Sequence, residues 1–131
     1  MRPRRLGLIW VAVLCVTTGV AVGAAVGAQA ASAGPARILV YAQEWSLWPS
    51  RSSLPAGRVV VQLWNRGQDA HDLQVRRLRS GRMTGNAQRV AVTQSGAVAS
   101  GTWQLGPGRY ELYCSLPGHR MRGMHTTLVV R

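Results

Sequence analysis

The sequence contains no phenylalanine and no lysine, and its 131 residues include only four acids, three histidines and two cysteines. Each shortage excludes something. Without phenylalanine, the core must be built from tryptophan, tyrosine and aliphatic side chains. Without lysine, the whole formal charge of +12 rests on arginine. Beyond the opening apolar run, no helical period of useful length appears, which leaves strands to build the fold. One of the two cysteines, Cys15, lies inside the apolar run that opens the chain. Removal of that run would leave Cys114 alone, so no disulfide could form within one molecule. A lone thiol in an oxidising compartment is a liability unless a metal holds it as thiolate.

The opening run reads as an export segment over residues 1–33. Arg2, Arg4 and Arg5 form a positive start, and an uncharged apolar stretch follows from Leu6 to about Ala28. Small-residue sites then stand at Ala28-Gln-Ala30 and Ala31-Ser-Ala33, as a signal peptide needs for cleavage. An uncleaved membrane anchor through residues 6–28 is the competing reading, because the stretch is long enough to span a bilayer. The Gly/Ala-rich second half favours cleavage. Arg4-Arg5 followed by Leu-Gly-Leu weakly resembles a twin-arginine signal. Residues 34–131 then form a single domain, expected in the periplasm, at the cell surface or secreted.

That domain reads as strands and turns. Ile38 to Trp45 is strand-like, and Leu47-Trp48-Pro49 starts a turn. Leu54-Pro-Ala-Gly57 is a tight connection, after which Val59, Val61 and Leu63 alternate on one face up to Asn65. His71 to about Leu78 is a further strand. Trp103 to Leu105, Gly106-Pro-Gly108 and Arg109 to Cys114 predict a hairpin, and Thr126 to Val130 closes the chain. Arg76, Arg77, Arg79, Arg82 and Arg89 crowd the segment between residues 76 and 92, which reads as a solvated loop or an edge strand. Several short strands at regular spacing give an all-β sandwich with Greek-key connections.

The chemistry gathers near the C-terminus, in Tyr110-Glu-Leu-Tyr-Cys114-Ser-Leu-Pro-Gly-His119-Arg-Met-Arg-Gly-Met124-His125. Tyr110, Leu112 and Cys114 share one face of a strand, so Cys114 points inward at its end. Pro117-Gly118 forces a turn that swings His119 back, and Gly123 frees the backbone just before Met124. Thiolate, imidazole and thioether together are a soft ligand set that selects copper over zinc, magnesium or calcium. A mononuclear blue-copper site needs a second histidine. His71 follows Asn65-Arg-Gly and opens a strand in which His71, Leu73 and Val75 alternate inward.

These two stretches resemble the cupredoxins, small blue-copper proteins of the plastocyanin, azurin and auracyanin type. The matching features are Asn-x-Gly followed by His-Asp, then Tyr-x-x-Tyr-Cys-Ser-x-Pro-Gly-His-x-x-x-Gly-Met and a closing apolar strand. The resemblance spans nearly all of the chain from about Arg37. It implies one type 1 copper ion with His71, Cys114, His119 and Met124 as ligands, Met124 being the long axial bond. Met121 is the rival axial residue, but two residues after His119 it should face solvent. His125 should point away from the site. Asp72 stands where the family usually has Asn, and it should tie its loop to the backbone beside Cys114, with Ser115 as a further support.

The function implied is one-electron transfer outside the cytoplasm, with His119 as the electron port and Leu116, Pro117 and Met121 as an apolar rim. A copper carrier or buffer without a redox circuit is the alternative; it should expose its metal and carry Met- or His-rich tracts, which this chain lacks. An enzyme is not expected, since three histidines cannot also supply a catalytic copper. A binuclear copper site would need a second cysteine in the loop. The chain is expected to act as a monomer on a redox partner with an acidic docking surface. The charge would also suit an anionic membrane surface, whereas nucleic acid is an improbable partner for an exported protein.

Overall fold

A computed structural model describes residues 34–131; the expected export segment lies outside the described residues. Alternation of apolar and polar side chains generates nine strands. They are β1 (Ala36–Gln43), β2 (Ser46–Pro49), β3 (Ser53–Leu54), β4 (Gly57–Asn65), β5 (His71–Arg79), β6 (Arg82–Thr93), β7 (Val98–Leu105), β8 (Gly108–Tyr113) and β9 (His125–Val130). The helical content among the described residues is a single 3₁₀ turn, Arg120–Arg122. None of their helices is long and apolar enough to cross a membrane.

The strands form two sheets, ordered β2-β1-β4-β7 and β3-β9-β8-β5-β6. The chain passes repeatedly from one sheet to the other, and β1 pairs in parallel with β4 while β3 does so with β9. These are the connections of a Greek-key sandwich, as the alternation predicts. The register follows from which side chains are apolar. Ile38, Val40 and Ala42 of β1 lie beside Val61, Leu63 and Asn65 of β4, and all six are buried. A slip of one residue would turn that whole set to solvent. Tryptophan does take the place of phenylalanine here: Trp103 is the largest fully buried side chain.

Three expectations change. Leu47-Trp48-Pro49 is strand rather than turn, because the chain reverses earlier, at Glu44-Trp45, and Trp48 pairs with Tyr41. The first strand accordingly ends at Gln43 rather than Trp45. The predicted hairpin over residues 103–114 is instead a corner between the sheets. β7 pairs with β4, whereas β8 lies between β5 and β9. Trp103 and Leu105 as well as Tyr110 and Leu112 are core residues, so the two segments meet across the core instead of side by side in one sheet. The Tyr110 hydroxyl closes the corner by donating to the Gly106 carbonyl at 2.9 Å. The arginine-rich segment is an edge strand, β6, as one of its two readings had it.

Candidate metal centre

His71 begins β5 and is fully buried. The loop that delivers it is folded around Asn65, the last residue of β4, which is also fully buried. The Asn65 amide donates to the carbonyls of Asp69 at 2.7 Å and Thr93 at 2.9 Å, and its oxygen accepts the Gly67 N–H at 2.9 Å. One side chain thus satisfies three backbone groups in and beside the turn.

Cys114 follows the end of β8 and is buried, as strand alternation predicts. Its N–H donates to the Met124 carbonyl at 3.0 Å, and the Met124 N–H donates to the His119 carbonyl at 3.2 Å. The His119 N–H turns back on the Leu116 carbonyl at 3.1 Å. These bonds cinch the loop so that the backbones of Cys114, His119 and Met124 meet although the first and last are ten positions apart. The chain re-enters β9 through Gly123, whose φ of +120° suits glycine. Met124 is fully buried, whereas Met121 is 90% exposed. His125 is exposed and lies 3.8 Å from Glu111. His125 faces away from Met124 as strand alternation requires, and Met121 lies outward in the 3₁₀ turn, as its place two residues after His119 suggests.

The two loops bring three donors together. His119 Nδ1 is 3.2 Å from His71 Nδ1 and 3.5 Å from Cys114 Sγ, and one donor atom from each of the three residues lies within 4.8 Å of the others. A single ion about 2.0 Å from nitrogen and about 2.3 Å from sulfur would hold such donors about 3.5 Å apart. The spacing fits one ion. Burial pushes the Cys114 thiol up to about 11, and the Asp72 carboxylate adds to the rise. Backbone N–H groups of Asp72 and Leu116 act in the opposite direction. The thiol therefore keeps its proton at neutral pH until a cation displaces it.

Asp72 makes the tie that the sequence suggests. Its Oδ1 accepts the Ser115 N–H at 2.6 Å, and its Oδ2 accepts the Ser115 hydroxyl at 2.5 Å and the Gln74 amide at 3.1 Å. The residue after one histidine is thereby fastened to the residue after the cysteine.

Two neighbours carried no motif signal. Glu44 Oε1 lies 2.9 Å from His71 Nε2 and also accepts the N–H groups of Gln68 and Asp69, each at 2.9 Å. Partial burial raises the Glu44 pKa, but hydrogen bonds from the backbone of Asp69, Glu44 and Gln68 and from the His71 ring outweigh it, holding the carboxyl at about 2. Trp45 meets the His119 ring edge-on, with centroids 5.0 Å apart, and the Arg122 guanidinium lies 4.3 Å above the Trp45 ring. The only sequence cue for Glu44 was the scarcity of acids; its separation from His71 hid the contact.

No protein-family model matches this chain, and no curated protein matches it in sequence. Solved structures match it in fold. One is auracyanin A, a blue copper protein from the green thermophilic photosynthetic bacterium Chloroflexus aurantiacus, at a TM-score of 0.59 and 17% identity over 75% of this chain and 100% of that one. A second is rusticyanin from Thiobacillus ferrooxidans, at a TM-score of 0.62 and 16% identity over 76% of this chain and 79% of that one. The chain has the cupredoxin fold. A multicopper oxidase also shares this cupredoxin fold, at a TM-score of 0.53 and 10% identity over 73% of this chain but only 44% of its own. The fold accordingly occurs in small proteins and within larger ones, and the chemistry of this cupredoxin-fold chain must be argued from its side chains.

Proposed function

We propose that this protein is a one-electron carrier outside the cytoplasm, in which His71, Cys114, His119 and Met124 would hold one type 1 copper ion. The observation that carries the reading is the convergence of two imidazole nitrogens and one thiol within 4.8 Å at one end of a rigid sandwich. Copper bound by this donor set would supply a Cu(I)/Cu(II) couple, since two imidazoles, a thiolate and a weak thioether suit both states. The protein's own part is to hold the donors still. Asn65, Asp72 and the Cys114–Met124 backbone bond all bind the two loops in place, so little rearrangement accompanies a change of charge.

Burial of His71, Cys114 and Met124 favours the redox reading over a carrier, which would have to release its metal. His119 is the half-buried donor and so the port for electrons. Around it lie Trp45, Leu116 and the exposed Met121, an apolar rim suited to brief docking. From Arg37 onward, thirteen arginines face four acids, a net charge of +9. That field would attract a redox partner with an acidic surface and speed encounter, less so as salt rises. Arg120 contributes less than its position suggests, because Glu111 accepts its Nε–H at 2.7 Å. The test is the visible spectrum of purified protein on adding Cu(II). An intense blue colour that bleaches on reduction is expected; a colourless protein would overturn the reading.

A further inference from the structure

Glu44 reaches the site from outside both ligand loops. It stands in the turn between β1 and β2, and its Oε1 meets the His71 ring on the nitrogen that faces away from Cys114 and His119. The same oxygen accepts two backbone N–H groups from the loop that leads to His71. That loop is shaped to receive it: a Cβ on Gly67 would overlap the Glu44 carboxyl, so glycine alone lets the backbone close over the acid. Glu44 lies more than twenty residues from its three partners Gln68, Asp69 and His71, which belong to one segment and meet it together, so this is a built contact and not a chance surface pair.

Glu44 Oε1 already accepts the N–H groups of Gln68 and Asp69, so it faces the His71 ring as an acceptor. His71 Nε2 must therefore carry the ring proton, which leaves the Nδ1 lone pair directed at His119 Nδ1 and the thiol. We propose that Glu44 is a positioning residue of the metal centre, selecting the His71 tautomer whose Nδ1 can bind metal and lending that imidazole negative charge that favours Cu(II) over Cu(I). The first effect acts before any metal enters. The second rests on the copper reading above. Outer partners of ligating histidines act in this way, orienting the ring and raising its basicity.

The experiment has two arms, on wild type, Glu44→Gln and Glu44→Ala. In the metal-free proteins, nitrogen-15 NMR of the imidazoles reports the His71 tautomer. Wild type and Glu44→Gln should hold the proton on Nε2, because the amide oxygen still accepts. Glu44→Ala should lose that preference. In the copper-loaded proteins, Glu44→Gln should weaken Cu(II) relative to Cu(I) by about tenfold, an upward shift of about 59 mV in reduction potential. A merely structural role for Glu44 would move stability and leave the Glu44→Gln potential alone. An unchanged tautomer in Glu44→Ala overturns the positioning role, and an unchanged potential in Glu44→Gln overturns the electrostatic one. A protein that takes no copper would sink the redox reading and leave the tautomer arm fully decisive. Should Glu44→Ala not fold, Glu44→Asp replaces it, since its shorter chain cannot reach Nε2 from the same turn.

Discussion

His71 and His119 bring their Nδ1 atoms within 3.2 Å of each other, yet they arrive on different kinds of support. His71 has no exposed surface and is surrounded by side chains that hydrogen-bond to its own loop, Asn65 and Glu44 above all. His119 is half-exposed, stands next to a 3₁₀ turn, and is held by backbone bonds to Leu116 and Met124 and by the edge of Trp45. The first half of the site is immobilised by buried polar groups, which are costly to leave unpaired. The second is held by a short cinched loop. The rigid half sits behind the site, and the half that reaches solvent is the one a partner could touch.

The most severe way to test this division is to remove the one donor that neither histidine can replace. Cys114→Ser should abolish the blue colour while circular dichroism still shows a folded sandwich. A blue Cys114→Ser protein would disprove the assignment of the thiolate.

Removing the polar support should come next. Asn65→Leu would leave the Gly67 N–H and the carbonyls of Asp69 and Thr93 without their partner. At about 1–3 kcal/mol for each buried unpaired group, a loss of several kcal/mol is expected in urea unfolding. A loss below about 1 kcal/mol would mean that the loop does not depend on Asn65.

A finer contrast lies inside the cinched loop. Met124→Gln should keep copper bound but lower its reduction potential, because an amide oxygen favours Cu(II) over a soft thioether. Met121→Gln, on a side chain that is 90% exposed, should change neither spectrum nor potential. Reversed results would mean that Met121, and not Met124, is the methionine that would hold the metal.

The smallest effect belongs to the rim. Arg120 is 44% exposed at its side chain, and its pair with Glu111 is worth at most about 1 kcal/mol. Arg120→Ala should therefore shift the unfolding midpoint only slightly and leave the colour intact. A loss of colour would show that the turn after His119 relies on this pair.

The loop from Cys114 to Met124 was legible because its information is local. Spacing, Pro117-Gly118 and strand parity are enough to place Cys114 inward, Met124 inside and Met121 outside, and the structure has them so. His71 was legible more weakly, through alternation with Leu73 and Val75. The hairpin expected over residues 103–114 failed for a physical reason: Gly106-Pro-Gly108 signals a reversal but not whether the returning strand pairs in the same sheet or crosses to the other. Pairing is decided by competition among all the strands, and β4 and β5 won it.

By itself, the sequence determined the all-β class, the inward faces of the strands and the soft donors of one loop, because each depends on residue type at short, regular spacing. Only the tertiary structure decided which strands share a sheet and that Glu44, in a turn near the start of the domain, lies against the far nitrogen of His71. Such contacts join residues whose separation along the chain has no period. They exist only once the two sheets have packed and the Gly67 backbone has closed over the carboxylate, where burial makes every unpaired polar group costly.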